Sequence, residues 1–364
     1  MWNTVIDELP IPEKIIKSLA AVLVNVNSPL EMMELEIPPL EKGQVLVEVL
    51  YSSICQSQIN EIRGRKGVDN FLPHTLGHEG SGIVLDIGSG VKKVSPGDSV
   101  VMTWIKGIGH DIPSSKYISD GKIINSGAIS TFLTHAIISE NRLVKTSKIS
   151  MKVSSLLGCA IPTGAGIVFN DLQAVKGKSI SIWGVGGIGL SSLLAAKKIG
   201  LYPIFAIDIN EDKLSMAKKL GADYTLLFDH APTDYIFEKT NSRGCNYAIE
   251  SAGKIKAIET AFNSVNKNTG KLVIAGNPEK NKKFSIDPFD LISGKQIMGT
   301  WGGSTNPDKD ILKYSNLYKD GNFPIDKLIT HVEPFDSIND AISIVESGKS
   351  ARVVLQMKEK NNDF

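Results

Sequence analysis

Only three cysteines occur in 364 residues: Cys55, Cys159 and Cys245. They are too few for a disulfide framework and fit a reducing compartment, where thiols serve as ligands or as core residues. Charge of one sign is not in excess either, with 40 Lys and Arg against 39 Asp and Glu. That balance gives no support to binding of nucleic acid or of a charged membrane surface. Long hydrophobic runs are also missing. The one candidate targeting stretch, residues 15–26, follows Asp7, Glu8 and Glu13 in place of a basic segment, and Lys17 interrupts it. It is shorter than the roughly 20 apolar residues of a membrane helix. A cytoplasmic location is expected. There is no internal repeat and no low-complexity tract, and residues 358–364 are expected to fray.

What is present suits ordinary globular cores: 42% of the residues are apolar, in a length that suggests two domains. The first part is β-rich. Val45, Val47 and Val49 alternate with their neighbours as in a half-buried strand, and residues 82–87 and 98–102 are further strands bounded by glycine or Pro96-Gly97. Short strands with glycine turns suggest an antiparallel barrel or sandwich. Residues 106–127 show no clear period and read as a long surface loop.

After Pro162 strand and helix alternate. Strands are expected at 179–183, 203–208, 225–228, 246–250, 271–275 and 296–300, with helices at 189–199, 211–220 and 255–265. Gly221 ends the second helix. The alternation implies a parallel sheet with helices on both faces, a doubly wound α/β arrangement. Further helices at 311–319 and 338–347 and a strand at 352–356 close the chain.

Two stretches carry chemistry. Gly184-x-Gly186-Gly187-x-Gly189 lies between a predicted strand and a predicted helix, the context that turns a glycine pattern into a dinucleotide fingerprint. The glycines allow a tight turn, backbone approach to a diphosphate, and close helix packing over N–H donors. Asp208 ends the next strand at the spacing of a ribose-binding carboxylate, although a helix N-cap is the competing reading. A carboxylate there repels a 2′-phosphate and favours NAD over NADP. The second stretch is Gly77-His78-Glu79-Gly80. With Cys55 and Cys159, His78 supplies zinc-ligand chemistry with one tetrahedral position open. Spacing alone does not bring the three together, and on chemistry alone each cysteine reads more readily as a small core residue than as a ligand. Cys245, in a strand-like run, reads as core. His74, His135, His230 and His331 have no motif around them, and His110 lies in the unpatterned loop.

In this order the motifs resemble the zinc-dependent alcohol dehydrogenases of the medium-chain dehydrogenase/reductase superfamily. The likeness runs from about Lys17 to Met357. It is carried by Ile54-Cys55-Gln56-Ser57, Gly77-His78-Glu79-Gly80-x-Gly82, Gly158-Cys159-x-x-x-Thr163-Gly164, the fingerprint with Asp208, Gly299-Thr300-Trp301-Gly302-Gly303 and Ser347-Gly348-Lys349-Ser350-x-Arg352. The pattern is most like the glutathione-dependent formaldehyde and liver-type branch. The resemblance implies a GroES-like β-rich catalytic domain over residues 1–162, a Rossmann domain over 163–303 and a return to the catalytic domain over 304–364. It implies Cys55, His78 and Cys159 as zinc ligands, Glu79 as a carboxylate near the metal, and Ser57 as acceptor of the substrate hydroxyl proton. Thr163 and Ile188 would contact the nicotinamide, Asp208 and Lys213 the adenosine ribose, and Arg352 the diphosphate. Trp104 would wall the substrate pocket. The activity implied is hydride transfer between an alcohol and NAD, in a homodimer or homotetramer joined through residues 296–301.

Departures from the family pattern matter. Residues 106–127 lack the four cysteines of the structural-zinc lobe, so one catalytic zinc per chain is expected. Gln56 stands where a cation is frequent, Gln58 where an acidic residue supports the ligand histidine, and Asn60 where a histidine ends the proton relay. Asparagine takes up no proton near neutrality. Polyols, sugars and cyclitols are open as substrates. The competing readings are a zinc-free NADPH quinone or enone reductase and a non-catalytic NAD-binding protein of the same fold.

Overall fold

The computed structural model describes residues 17–146 and 149–358. The acidic residues at 7, 8 and 13 and the tail beyond Lys358 lie outside that range. Among the described residues no single helix is long and apolar enough to cross a membrane. The apolar stretch near the start is a strand, Lys17–Leu23, whose Ala20, Val22 and Leu23 are fully buried. It pairs antiparallel with Glu31–Glu36. These two, with His74–Thr75, Lys116–Ser119 and Lys122–Asn125, close a small barrel.

The last two of those strands correct the reading of 106–127 as a loop. Tyr117 and Ile124 are buried on the hairpin's inner face. Asp120 and Gly121 both take positive φ, 47° and 73°. An Asp-Gly pair between short alternating runs is a strong hairpin signal, and its backbone twist matches the flanking strands.

A second sheet packs beside the barrel in the order Leu143–Lys145, Ser99–Thr103, Glu79–Ile87, Gln44–Ser53, Arg352–Gln356, Ile329–Pro334, with His135–Ser139 also pairing on Gln44–Ser53. The chain's last strand thus enters the sheet of the first part, antiparallel to Gln44–Ser53 and parallel to Ile329–Pro334. Val47, Val49, Val84, Val100 and Val353 meet in one core with the barrel residues.

The third sheet has six parallel strands in the order Tyr224–Leu227, Ile204–Asp208, Ile180–Trp183, Tyr247–Glu250, Lys271–Ile274, Gln296–Gly299. The chain winds outward from Ile180–Trp183, then crosses back to Tyr247–Glu250. That reversal opens a crevice at the carboxyl ends of these two neighbours, where the fingerprint begins. Sequence reading missed the helices Gln56–Ile62, Ala160–Gly166 and Pro232–Lys239. Pro162 sits in the first turn of the second, where a missing N–H breaks no intrahelical bond.

Candidate active site

Cys55 caps the helix Gln56–Ile62, and its backbone N–H donates to Gln58 Oε1 at 3.0 Å. His78 precedes the strand Glu79–Ile87, and Cys159 precedes the helix Ala160–Gly166. These three elements bring one sulfur, one imidazole nitrogen, one carboxylate oxygen and a second sulfur, from Cys55, His78, Glu79 and Cys159, within 4.8 Å of one another. Two thiols, an imidazole and a carboxylate fit a zinc ion with room for an exchanging oxygen ligand. Hydrogen bonding from Cys159 holds the Cys55 thiol well below its ordinary range; His78 and Arg352 add to this against the opposing effect of burial. The same contact with Cys55, then burial, pushes Cys159 up.

Arg352 opens the last strand and is 5% exposed. Its Nη2 pairs with Glu79 and donates to Ser53 Oγ at 2.9 Å. The same guanidinium lies against Gly187, where a Cβ would stand 3.1 Å from Nη1. One cation therefore touches both the metal side and the fingerprint. Within the fingerprint, a Cβ on Gly189 would stand 2.0 Å from the Gly184 carbonyl oxygen, so any side chain there would push the helix Gly187–Ile199 off the strand. At Gly186 a Cβ would meet nothing within 4 Å, which leaves backbone facing open space for a diphosphate.

Asp208 ends its strand with Oδ2 accepting from Val185 N at 2.8 Å and Oδ1 from Asn210 N at 3.1 Å. The following helix is capped by Asn210, whose side chain accepts from Asp212 N and Lys213 N. The capping alternative for Asp208 thus falls away, and its carboxylate is fixed at the fingerprint loop. Lys213 lies in that helix's first turn. Thr163 and Ile188 come from two helices packed together, an approach that Gly164 permits, since its Cβ would stand 2.3 Å from Ile188 O. Ser57 is half-buried in the first turn after Cys55.

Trp104 follows the strand Ser99–Thr103. Its Nε1 is buried without a hydrogen-bond partner, and it acts with Thr163 against the upward shift of the Cys159 thiol. Its ring meets Trp301 edge-on, with centroids 5.0 Å apart.

Several residues fall elsewhere. His110 Nδ1 bonds to Glu140 Oε2 at 2.6 Å, outside the metal-type cluster. His74 joins Asp69 at 2.9 Å and the Thr75 carbonyl at 3.0 Å, with Glu61 close by. No motif had marked that cluster. Cys245 is fully buried, and burial pushes its thiol to about 12, as befits a core residue. Gln58 Oε1 serves the Cys55 backbone and its Nε2 is buried without a partner. Gln56 and Arg65 both donate to Asn60 Oδ1. Sequence reasoning missed Ser53, which anchors Arg352, and Asn170-Asp171, which bind the loop after Gly299. None of these three residues carries a local signal.

Residues 187–317 match the zinc-binding dehydrogenase family, and residues 41–148 the alcohol dehydrogenase GroES-like domain. The chain is 30% identical to alcohol dehydrogenase class-2 isozyme 2 of Oryctolagus cuniculus, over 94% of this chain and 98% of that one. It is 28% identical to S-(hydroxymethyl)glutathione dehydrogenase of Photobacterium damsela subsp. piscicida, over 93% and 99%. The solved structure of benzyl alcohol dehydrogenase from Acinetobacter calcoaceticus aligns with a TM-score of 0.86 at 30% identity, over 94% of this chain and 100% of that one.

Proposed function

The chain belongs to the zinc-dependent alcohol dehydrogenases of the medium-chain dehydrogenase/reductase superfamily, and from that premise we propose how its residues serve hydride transfer between an alcohol and NAD. Cys55, His78 and Cys159 hold the catalytic zinc, with Glu79 poised beside them. The observation that carries this reading is their convergence within 4.8 Å, next to an arginine that also touches the fingerprint. Zinc, when bound, supplies Lewis-acid polarisation of the substrate oxygen. Ser57 accepts the substrate hydroxyl proton and passes it outward. Thr163 and Ile188 hold the nicotinamide for attack on one face, Asp208 and Lys213 the ribose, and Arg352 with Gly184, Gly186, Gly187 and Gly189 the diphosphate. Trp104 shapes the pocket. The substrate is a primary or secondary alcohol, polyol or sugar-like alcohol.

Residues 1–162 and 304–364 form the catalytic domain in this reading, and 163–303 the cofactor domain. A homodimer or homotetramer would join through residues 296–301, which begin with the edge strand Gln296–Gly299. Phe289 and Ile292, exposed just ahead of it in the chain, support this. A cytoplasmic location rests on the cysteine count and the balanced charge.

The test is elemental analysis of unsupplemented protein together with NAD reduction over a panel of alcohols. Near one zinc per chain and turnover are expected; no metal and no turnover would refute the assignment. S57A should slow hydride transfer with NAD affinity kept, and an unchanged kcat would remove Ser57 from its role.

A further inference from the structure

We propose that Arg65 is a cofactor-binding residue, and that its guanidinium supplies the free positive charge met by the diphosphate of NAD on the catalytic-domain bank of the crevice. This rests on the dehydrogenase reading and adds to it a residue that no motif marks.

Arg65 is put in place by the way its helix ends. Gln56–Ile62 stops at Arg63, and Gly64 follows at a φ of 67°. A left-handed residue there turns the chain back, so that Arg65 N donates to the Asn60 carbonyl at 2.8 Å. A Cβ on Gly64 would also stand 2.6 Å from Val26 Cγ1, so the turn is closed to other residues. The side chain follows the backbone. Arg65 Nη1 donates to Asn60 Oδ1 at 3.3 Å, and Gln56 Nε2, one turn nearer Cys55, donates to the same oxygen at 3.4 Å. A polar row from Arg65 through Asn60 to Gln56 thus runs back along the helix to the residue beside Cys55.

The charge of Arg65 is uncompensated, unlike that of its neighbours. Arg63 grips Glu346 through Nε and Nη2 at 2.9 and 2.7 Å, and Lys66 pairs with Glu61 at 2.8 Å. Among the described residues no carboxylate lies within ion-pairing distance of Arg65, which is exposed and has Asn60 Oδ1 as its side-chain partner. Most of its N–H groups remain free.

The loop that carries Arg65 is tied to the fingerprint side. Glu346, which holds Arg63, ends the helix Ile338–Glu346. Just beyond it the Gly348 carbonyl accepts from Asn210 Nδ2 at 3.3 Å, and Arg352 lies against Gly187. A dinucleotide lays a dianion in that crevice. Backbone N–H groups of the fingerprint meet it from one bank. Arg352 brings no free charge, because buried Glu79 already pairs with it. Arg65 does, and a guanidinium fork matches two phosphate oxygens at once.

The test measures binding of NADH, by its fluorescence, and its displacement by ADP-ribose or adenosine, in wild-type holoenzyme, R65A, R65Q and K66A. R65A and R65Q should each weaken NADH and ADP-ribose about tenfold while leaving adenosine unchanged. Added salt should weaken NADH binding in wild type and do so less in R65A. K66A, which removes a cation already paired, should match wild type. NADH affinity unchanged in R65A overturns the proposal. So does R65Q that binds like wild type, since the hydrogen bond to Asn60 and not the charge would then matter. An equal loss for adenosine overturns it as well, because it would make Arg65 a prop for its loop, and so does a loss in K66A as large as in R65A. None of these readings needs turnover. If they come out as expected while no alcohol reduces NAD, the dehydrogenase reading fails and Arg65 keeps its role. If alcohols are oxidised and R65A binds NADH as wild type does, the Arg65 proposal alone fails.

Discussion

Arg352 and Glu79 form an ion pair sealed inside the protein, their side chains 5% and 0% exposed. The arginine comes from the last strand and the glutamate from the residue after His78, so the pair binds the end of the chain to the metal side. Removing one partner leaves the other charged and desolvated. R352M should therefore lose about 3–5 kcal/mol of stability in urea titrations. The double variant E79Q/R352M should recover part of that loss. A double variant as unstable as the sum of the two singles would show that the pair does not act as a unit.

Metal content should follow Cys159 and not Cys245. Wild type should carry near one zinc per chain, C159A far less, and C245A as much as wild type, by elemental analysis. Equal zinc in C159A would remove that thiol from the ligand set.

Asp208 should decide between the two nicotinamide dinucleotides. Its carboxylate is fixed at the fingerprint loop, and in the proposed ribose-binding role it would repel a 2′-phosphate. D208S should lower kcat/KM for NAD and raise it for NADP, narrowing the preference by about tenfold or more, because a charged hydrogen bond is lost and a repulsion removed. An unchanged NAD-to-NADP ratio would place the ribose elsewhere.

Glu140 should govern acid tolerance. Burial works to raise its carboxyl, but N–H donors from His110, Lys92 and Lys93 and the His110 ring outweigh that and hold it at about 2, from 4.5. A depressed carboxyl stabilises the fold fully above pH 4.5, and the contribution fades as pH drops toward 2. Its size at neutral pH is about 3 kcal/mol at most. E140Q should therefore be less stable than wild type at pH 7, with the gap closing between pH 4.5 and 2. A gap that stays constant over that window would refute this.

The parallel sheet was legible because its strands and helices are short, contiguous and punctuated by glycine. Each predicted strand there lies within a residue or so of the observed one, as with Ile204–Asp208 and Lys271–Ile274. The first part was harder. Its strands pair across large sequence distances, such as Gln44–Ser53 with Arg352–Gln356, and nothing local records a distant partner. The hairpin Lys116–Asn125 is different, since Asp120-Gly121 carried a readable signal that the lack of period in its surroundings hid. At the site, Cys55, His78 and Cys159 were legible through the family pattern. Chemistry alone left each cysteine open, because ligand and core roles use the same side chain. Ser53, Asn170 and Asp171 act only through tertiary neighbours. Trp301 was visible as part of a motif, but its edge-on contact with Trp104 depends on the turn at Gly302.

The position of Arg352–Gln356 within its sheet sets an order of assembly. Every strand of the parallel sheet lies between residues 180 and 299, so its strands have all their pairing partners once the chain has been made that far, and Ile311, Tyr314, Phe323 and Leu328 then complete the core against it. The sheet beside the barrel does not. Residues 51–53 of its central strand wait for residues 354–356, some 300 positions later, and until then present an unpaired edge. Contacts of such long separation form late and slowly. On the ribosome, the parallel sheet can therefore pair its strands first, and the guanidinium that secures Glu79 arrives only with the final strand. A chain interrupted before Arg352 would hold a folded parallel sheet together with an open strand edge, the combination that favours aggregation over a quiet loss of activity.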